Sequence, residues 1–293
     1  MNSYNKPIKT VTLAYFSGTG GTKAVADCFE SQLTEHKLQV NKINIAVDGS
    51  DAATTADLLI ILSPVYAFRL ASIMENWTKN LPDVKGIYAA IISVSGGGEI
   101  SPNTACRMNC KRFLTRHGYD VMYEKMIMMP SNFTIQAEPQ MNFDLLHVLP
   151  QKVDTIISDI LVGNKLILKP KFQDRLFSIL GKAEHFGARF YGLSIHASQS
   201  CNQCGKCVRN CPRKNIKMKN GRPKFGFRCI WCMKCIYSCP CKALSPRILK
   251  FTVLKNGFDI NQMIENGSKT VDNSERSYSK EGLWQGANDY LQK

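Results

Sequence analysis

The sequence has no apolar run long enough to cross a bilayer and no sign of a secretion signal. A spanning helix needs about 20 mainly apolar residues, whereas the longest obvious apolar block of this 293-residue chain is residues 58–62. Residues 1–7 are polar, and no apolar segment follows them, as one would in a signal peptide. These absences predict a cytoplasmic protein with no membrane insertion.

Acidic residues are missing from residues 185–258, although this block holds fifteen lysines and arginines. The rest of the chain has 23 basic and 23 acidic residues, so the block carries the whole net charge of +15. It also contains nine of the twelve cysteines. Because reducing compartments disfavour disulfides, so many cysteines in a cytoplasmic protein indicate metal binding. The positive block should also attract acidic partners.

Two cysteine runs of identical spacing occupy this block. Each reads Cys-x2-Cys-x2-Cys-x3-Cys-Pro, at residues 201–212 and again at residues 229–240. The spacing is typical of bacterial iron–sulfur proteins, in which the fourth cysteine of one run ligates the other cluster. Structural zinc sites use two Cys-x2-Cys pairs, so a third cysteine at the same interval argues against zinc. One predicted ligand set is Cys201, Cys204, Cys207 and Cys239, and the other is Cys229, Cys232, Cys235 and Cys211.

Over residues 196–250 the chain resembles the bacterial two-cluster ferredoxins. The resemblance implies one-electron transfer at low potential between two neighbouring [4Fe–4S] clusters. Small free ferredoxins are usually acidic, whereas this block is basic, and positive charge should raise the cluster potentials. Three of the other cysteines, Cys28, Cys106 and Cys110, are predicted to pack in the core. Cys241 is predicted to be a bystander, with a spare ligand as the alternative.

A turn rich in glycine and hydroxyl groups follows the first predicted strand, residues 9–16. Beyond the turn a helical pattern begins, with Val25, Phe29 and Leu33 on one face. Glycines in such a turn let backbone N–H groups converge on an anion, and the helix N-terminus adds a favourable dipole. The turn matches neither the P-loop nor the GxGxxG pattern. It resembles the FMN-phosphate loop of flavodoxins, which implies phosphate binding by Ser17, Gly18, Thr19, Gly20, Gly21 and Thr22; a plain strand–helix turn is the alternative.

Strands alternate with helices through the first half, which predicts an α/β, doubly wound parallel sheet. In the flavodoxin-like strand order 2-1-3-4-5, FMN binds where the order reverses, beside strands 1 and 3. The resemblance therefore implies that the segments after strands 3 and 4 flank the flavin ring. The loop after strand 4 has no aromatic residue, which would leave one flavin face open. The residues so assigned are Pro64, Val65, Tyr66, Ala67 and Phe68 after strand 3, and Ser95, Gly96 and Gly97 after strand 4.

With both halves present, the chain resembles the flavodoxin–ferredoxin fusion proteins of anaerobic bacteria. The expected order is a flavodoxin-like domain, a helical connector, a small α+β two-cluster ferredoxin-like domain and a C-terminal extension. Residues 262–293 of that extension are polar and are expected to lie at the surface. Apolar residues of the connector, namely Leu176, Phe177, Leu180, Phe186 and Phe190, are expected to dock it. The predicted bounds are residues 1–165, 166–195, 196–250 and 251–293.

The resemblance implies an electron-transfer protein with FMN and two clusters, linking ferredoxin-type carriers to a partner reductase. Its expected partners are acidic ferredoxins or flavodoxins and an unidentified reductase. The alternative is a ferredoxin-dependent flavin reductase that acts directly on a small molecule, and no catalytic residue is assigned. Nucleic-acid binding by the basic block is disfavoured, because its aromatic residues are expected to pack around the clusters.

Overall fold

A five-stranded parallel sheet forms the centre of the larger domain. The structure is a computed structural model, and it describes residues 7–48, 55–134, 137–268 and 286–292. The strands lie in the order β2-β1-β3-β5-β6, and every neighbouring pair is parallel. The short strand β4 (Arg69–Leu70) lies outside this parallel path, so β5 and β6 are the fourth and fifth strands of the predicted order 2-1-3-4-5. This is the flavodoxin-like order, and the predicted fold class is confirmed. The strands are β1 (Thr10–Tyr15), β2 (Gln39–Asn44), β3 (Leu58–Tyr66), β5 (Tyr88–Ser95) and β6 (Asp120–Met128).

Helices cover both faces of the sheet because β3 is apolar on both sides. Leu58 and Ile60 face one core, whereas Leu59 and Ile61 face the other. A fully buried parallel strand of this kind is a continuous apolar run, which is what the sequence has here. The helices of this domain are α1 (Gly21–Glu35), α2 (Ser72–Lys79), α3 (Met108–Arg116), α4 (Pro139–His147) and α5 (Leu149–Val162).

The apolar periodicity predicts helices over residues 104–117 and over residues 141–161, the second of them broken near Pro150. The pattern over residues 104–117 forms α3 only from Met108, after a short 3-10 turn. The predicted break near Pro150 is confirmed, because α4 ends at His147 and α5 begins at Leu149. Pro150 lies in the first turn of α5, where its missing N–H costs nothing. Cys106 and Cys110 are buried in the core between α2 and α3, so their predicted packing role is confirmed.

The second domain is built from short elements around the two cysteine runs. A long helix leads into it, β7 pairs antiparallel with β10, and β8 and β9 form a hairpin. None of the helices in the described part of the chain has the length and apolar character that a bilayer crossing needs. The elements of the second domain and its leading helix are α6 (Phe172–Ser194), β7 (Ile195–Ala197), α7 (Lys206–Asn210), β8 (Ile216–Lys219), β9 (Arg222–Phe225), α8 (Lys234–Tyr237) and β10 (Leu244–Pro246).

The long helix α6 docks through the face opposite to the predicted one. The five apolar residues expected to hold it are 40–59% exposed, so that expectation is wrong. The buried face instead carries small residues, including Gly181, Ala188 and Gly192. Small side chains allow the helix backbone to come close to its neighbours, and a pattern of apolar residues alone does not reveal such a contact.

The chain after the second domain returns to the larger one. Leu254, Phe258 and Met263 join the core formed by α1 and α5, and Ala287 is fully buried. The predicted surface position of residues 262–293 is therefore wrong for Met263 and Ala287, while residues 269–285 lie outside the described residues. The helices of this segment are α9 (Ile260–Ser268) and α10 (Ala287–Gln292).

Candidate cofactor sites

A cavity of about 470 Å³ lies at the carboxyl ends of β1, β3 and β5, where the strand order reverses. Its size falls within the usual range of about 300–1,000 Å³ for small-molecule sites. Of the fourteen residues predicted to bind the flavin, all but Gly20 line it. Gly20 lines an adjoining cavity of about 520 Å³. We call the 470 Å³ space the flavin cavity.

The turn between β1 and α1 has the geometry of an anion cradle. Gly20 has a φ of 107°, a left-handed conformation that suits glycine, and its N–H donates to Ser17 Oγ at 3.1 Å. No side chain caps α1, and its first turn has no acidic residue. Helix N-terminal N–H groups without such a partner are suited to a phosphate. Thr19 Oγ1 accepts a hydrogen bond from Asn132 Nδ2 at 2.7 Å and remains free to donate its own proton.

The segment predicted to flank the flavin ring forms the end of β3 and a tight hairpin. The short strand β4 (Arg69–Leu70) pairs antiparallel with the end of β3. The two turn residues, Ala67 and Phe68, have φ values of 52° and 59°, which non-glycine residues adopt at a cost. Helix α6 covers this turn closely, because a Cβ on Gly181 would lie 2.2 Å from the Ala67 carbonyl oxygen. The turn is therefore held against the flavin cavity from outside.

The glycine loop after β5 is held from below by a buried arginine. Arg107 is 1% exposed; its Nη1 donates to Ser93 Oγ at 2.6 Å, and its Nη2 donates to Glu99. Arg107 thus connects Glu99 of the loop to Ser93 of β5. The aromatic side chain that this loop lacks is supplied from elsewhere, since Phe133 and Trp231 both line the cavity.

Each predicted cluster ligand set lines its own small cavity. Cys201, Cys204, Cys207 and Cys239 surround one, which we call the distal site. Cys211, Cys229, Cys232 and Cys235 surround the other, which we call the proximal site. The structure thus brings together three cysteines of one run with the fourth cysteine of the other.

The backbone repeats from one run to the other. Gln203 and Gly205 have φ values of 61° and 69°, and the equivalent Trp231 and Met233 have 58° and 59°. The fourth cysteine of each run also accepts a backbone N–H bond: Asn215 donates to Cys211 Sγ at 3.3 Å, and Ala243 donates to Cys239 Sγ at the same distance. Such N–H donors favour thiolate ligands and help to set a cluster's potential.

Two thiols of the proximal site, those of Cys232 and Cys235, lie in surroundings that disfavour their charged form. Burial raises the pKa of the Cys232 thiol to about 12 and that of Cys235 well above its usual value. Without a cation these groups would be protonated, so iron binding has to displace their protons. Four sulfurs around one cavity, with N–H donors on the fourth sulfur of each run, fit an iron–sulfur cluster.

The proximal site directly adjoins the flavin cavity. Ile230 and Trp231 line both spaces, whereas no residue lines both the flavin cavity and the distal site. The turn between β1 and α1 also comes close to the second cysteine run, because a Cβ on Gly18 would lie 2.5 Å from the Cys232 carbonyl oxygen. The Trp231 ring is held between Tyr191 and Phe133, at centroid distances of 4.7 and 5.3 Å. We call Ile230 and Trp231 the shared wall.

Residues 194–240, which include all eight predicted ligands, match the family model described as a 4Fe-4S dicluster domain. This part of the chain is a 4Fe–4S dicluster domain. The chain is therefore an electron-transfer protein that contains iron–sulfur chemistry. Together with the flavodoxin-like sheet, the dicluster domain is consistent with a flavodoxin–ferredoxin fusion.

Three solved structures are each similar to about half of the chain. A flavodoxin from Streptococcus pneumoniae TIGR4 is 15% identical, with a TM-score of 0.38, covering 51% of this chain and 99% of that chain. Flavodoxin 2 from Bacillus cereus is 15% identical, with a TM-score of 0.39 and coverage of 51% and 99%. Rubredoxin oxygen:oxidoreductase from Desulfovibrio gigas is 14% identical, with a TM-score of 0.34 and coverage of 53% and 37%.

These scores are low, so the fold assignment rests on the strand order and on the pairing of the strands. No curated protein matches the sequence. The sequence did not reveal several residues that line the flavin cavity. His185 and Ala188 come from α6, Phe133 follows β6, and Ile230 and Trp231 lie between two cysteines of the second run. The dicluster domain and its leading helix therefore help to build a cavity that belongs to the flavodoxin-like sheet.

Proposed function

We propose that the chain holds FMN in the flavin cavity and a [4Fe–4S] cluster in each cysteine site, and that it exchanges electrons between an acidic carrier and a partner reductase. A cluster passes one electron at a time, and a flavin stores one or two. The shared wall is the observation that carries the proposal. Because Ile230 and Trp231 separate the proximal site from the flavin cavity, no other domain has to move for electrons to cross between them.

Residues of the flavodoxin-like domain would bind and orient the flavin. The N-terminus of α1 and the hydroxyls of Thr19 and Thr22 would hold the phosphate. The ring would lie between the β3–β4 hairpin and the glycine loop, and the shared wall would exclude water from the side that faces the proximal site. This arrangement turns the flavin towards the cluster rather than towards bulk solvent.

The distal site would receive electrons from an acidic protein. Cys204 is exposed, and α7, which follows it, carries the exposed Lys206 and Arg209. The described residues between 185 and 258 include no acidic residue, so no acidic side chain of that block opposes an acidic carrier. Positive charge around an entry point speeds the encounter with a negative partner, and salt weakens this effect.

Neutralising the basic residues near the distal site should slow electron uptake. We expect Lys206→Gln with Arg209→Gln to lower the second-order rate of reduction by a reduced acidic ferredoxin by about tenfold at low salt. Stopped-flow absorbance under anaerobic conditions measures this rate. The control is Lys85→Gln with Lys165→Gln, which removes the same charge from exposed positions of the other domain. Equal slowing in both double variants, or no salt dependence in the unmodified protein, would contradict an entry point at this face.

Removing two hydroxyls from the phosphate loop should weaken FMN binding selectively. Hydrogen bonds from the two hydroxyls to a charged phosphate would contribute to the binding free energy. Thr19→Ala with Thr22→Ala should therefore raise the FMN dissociation constant by about 10- to 100-fold. Fluorescence titration measures it, and Ser31→Ala, at an exposed position of α1, is the control. Riboflavin has no phosphate, so its affinity should stay the same. Equal weakening of riboflavin would indicate general damage to the domain and not a lost phosphate contact.

A second candidate function is direct reduction of a small molecule by the bound flavin. One observation favours it: α6 contributes His185 and Ala188 to the cavity lining and so covers part of the space that a protein partner would need. His185 Nε2 lies 3.3 Å from the Tyr66 carbonyl oxygen, and burial lowers its pKa. Sustained anaerobic turnover of a substrate panel by chemically reduced protein, with no partner present, would favour this reductase over the carrier.

A further inference from the structure

The outer face of α6 carries a row of large apolar side chains. We call this row the apolar stripe. Its members are 49–88% exposed, and their spacing of three, four and seven residues keeps them on one side of a helix. The members are Phe172, Leu176, Ile179, Leu180, Phe186, Phe190 and Leu193.

Most of the stripe stays exposed in the described part of the chain, although Phe186 and Phe190 meet the ring of Phe227. The face of α6 that the chain buries consists mainly of small residues and also carries the fully buried Tyr191. A Cβ on Gly181 would lie 2.2 Å from the Ala67 carbonyl oxygen, and a Cβ on Gly192 would lie 2.2 Å from Cys229 Cβ. An ordinary surface helix buries its large apolar residues and exposes its polar ones. In α6 the seven residues of the stripe are outside, which indicates a binding surface.

The apolar surface continues beyond the helix at Phe227, which follows β9, and at the segment that follows β10. The ring of Phe227 lies 5.9 Å from that of Phe186 and 5.1 Å from that of Phe190. Arg247 N donates to Ser194 O at the end of α6, and the segment that follows exposes Ile248, Leu249 and Phe251 by 48%, 42% and 65%. Together with the apolar stripe, these four residues form what we call the apolar patch.

The exposed charged side chains around the patch are positive among the residues whose burial is described. Asp174 is fully buried, where it accepts bonds from Ser101 and Thr104, and Glu184 is the only other acidic residue of α6. If two copies of the chain paired through the stripe, the basic residues that flank it in one copy would lie close to those of the other and repel them. The exposed basic residues are Lys171, Arg175, Arg189, Arg228, Arg247 and Lys250.

We propose that the apolar patch binds the surface of an anionic lipid bilayer. Helix α6 would lie in the plane of the interface, with the apolar stripe in the acyl boundary and the basic residues at the lipid phosphates. The stripe projects outward, with Phe172 88% exposed, and a lipid surface accepts projecting side chains without matching pockets. This binding needs no membrane-spanning helix. It also does not depend on the proposed flavin chemistry, since no stripe residue lines the flavin cavity.

Vesicle binding by the anaerobically purified holoprotein tests the proposal. We expect co-sedimentation with vesicles of phosphatidylcholine and phosphatidylglycerol but not with phosphatidylcholine alone, and we expect salt to weaken it. Ile179→Ser with Phe190→Ser should reduce the binding constant at least about tenfold, and Arg175→Gln should reduce it about fivefold. The matched control is Val47→Ser with Val162→Ser, which removes two exposed apolar residues elsewhere and should leave binding unchanged.

Three results would overturn the proposal. One is an unmodified holoprotein that binds neither kind of vesicle while its cluster absorbance is intact. Another is equal loss of binding in the stripe and control variants. The third is an unmodified protein that sediments as a dimer and that Ile179→Ser with Phe190→Ser converts to a monomer, which would assign the stripe to a second copy. Failure of flavin binding in the same preparations would affect the proposed function but not this surface.

Discussion

Cys239→Ala is expected to remove the cluster of the first cysteine run although Cys239 belongs to the second. Its sulfur lines the distal site with Cys201, Cys204 and Cys207, and a [4Fe–4S] cluster needs four thiolates. Iron should fall from about eight to about four atoms per chain, while the paramagnetic signal of the proximal cluster remains. Reduction of the flavin by an external ferredoxin should then fall to the rate of their direct reaction.

Cys241→Ala is the matched control for this experiment, because Cys241 lies two residues away and lines neither cluster cavity. It should keep the full iron content and the full rate. If Cys239→Ala lost the proximal signal and kept the distal one, each run would hold its own cluster, and the crossed ligand sets would be wrong. Full iron in Cys239→Ala together with reduced iron in Cys241→Ala would make Cys241 the ligand.

Gly192→Ala is expected to disconnect the clusters from the flavin. The added methyl group would lie 2.2 Å from Cys229 Cβ and 3.0 Å from its sulfur, so α6 and the cysteine cannot both keep their places. Overpacking of this kind costs about 1–3 kcal/mol of folding free energy. We expect the proximal cluster to be lost, the distal cluster and FMN to stay bound, and flavin reduction through the clusters to stop.

Gly187→Ala supplies the comparison, because it adds the same methyl group to the same helix at a position with nothing within 4 Å. Alanine is also the better helix former, so this variant should be no less stable than the unmodified protein. Iron and flavin assays, paramagnetic spectra and stopped-flow reduction distinguish the two. A Gly192→Ala protein with both cluster signals and an unchanged rate would show that Cys229 can move without consequence.

The central sheet could be predicted because its signals are local. The apolar run of β3 is buried on both faces, and alternating strands and helices leave few arrangements for a parallel sheet. The hairpin at Ala67 and Phe68 could not be predicted in the same way. Two-residue hairpins favour Asn-Gly or Gly at the positions with positive φ, and here tertiary packing against α6 imposes that backbone on alanine and phenylalanine.

The candidate sites divide along the same line. Regular cysteine spacing predicts the cluster ligands, because the intervals themselves suit the cluster. The shared wall has no such signal: Ile230 and Trp231 lie inside a metal-binding run, and only the docking of two domains brings them to the flavin cavity. The docking face of α6 was mispredicted because apolar periodicity marks the stripe, whereas contact is made by glycines whose importance depends on what lies opposite them.

The return of the chain to the larger core has a consequence for assembly. Leu254, Phe258 and Met263 complete the core between α1 and α5, although they are synthesised after both cysteine runs. During synthesis, the core of the larger domain therefore cannot be completed until the cysteine-rich segment and the residues after it have left the ribosome. Iron loading and closure of the larger domain can thus overlap in time. In the finished molecule the dicluster domain is tethered at both its ends, which limits how far it can swing away.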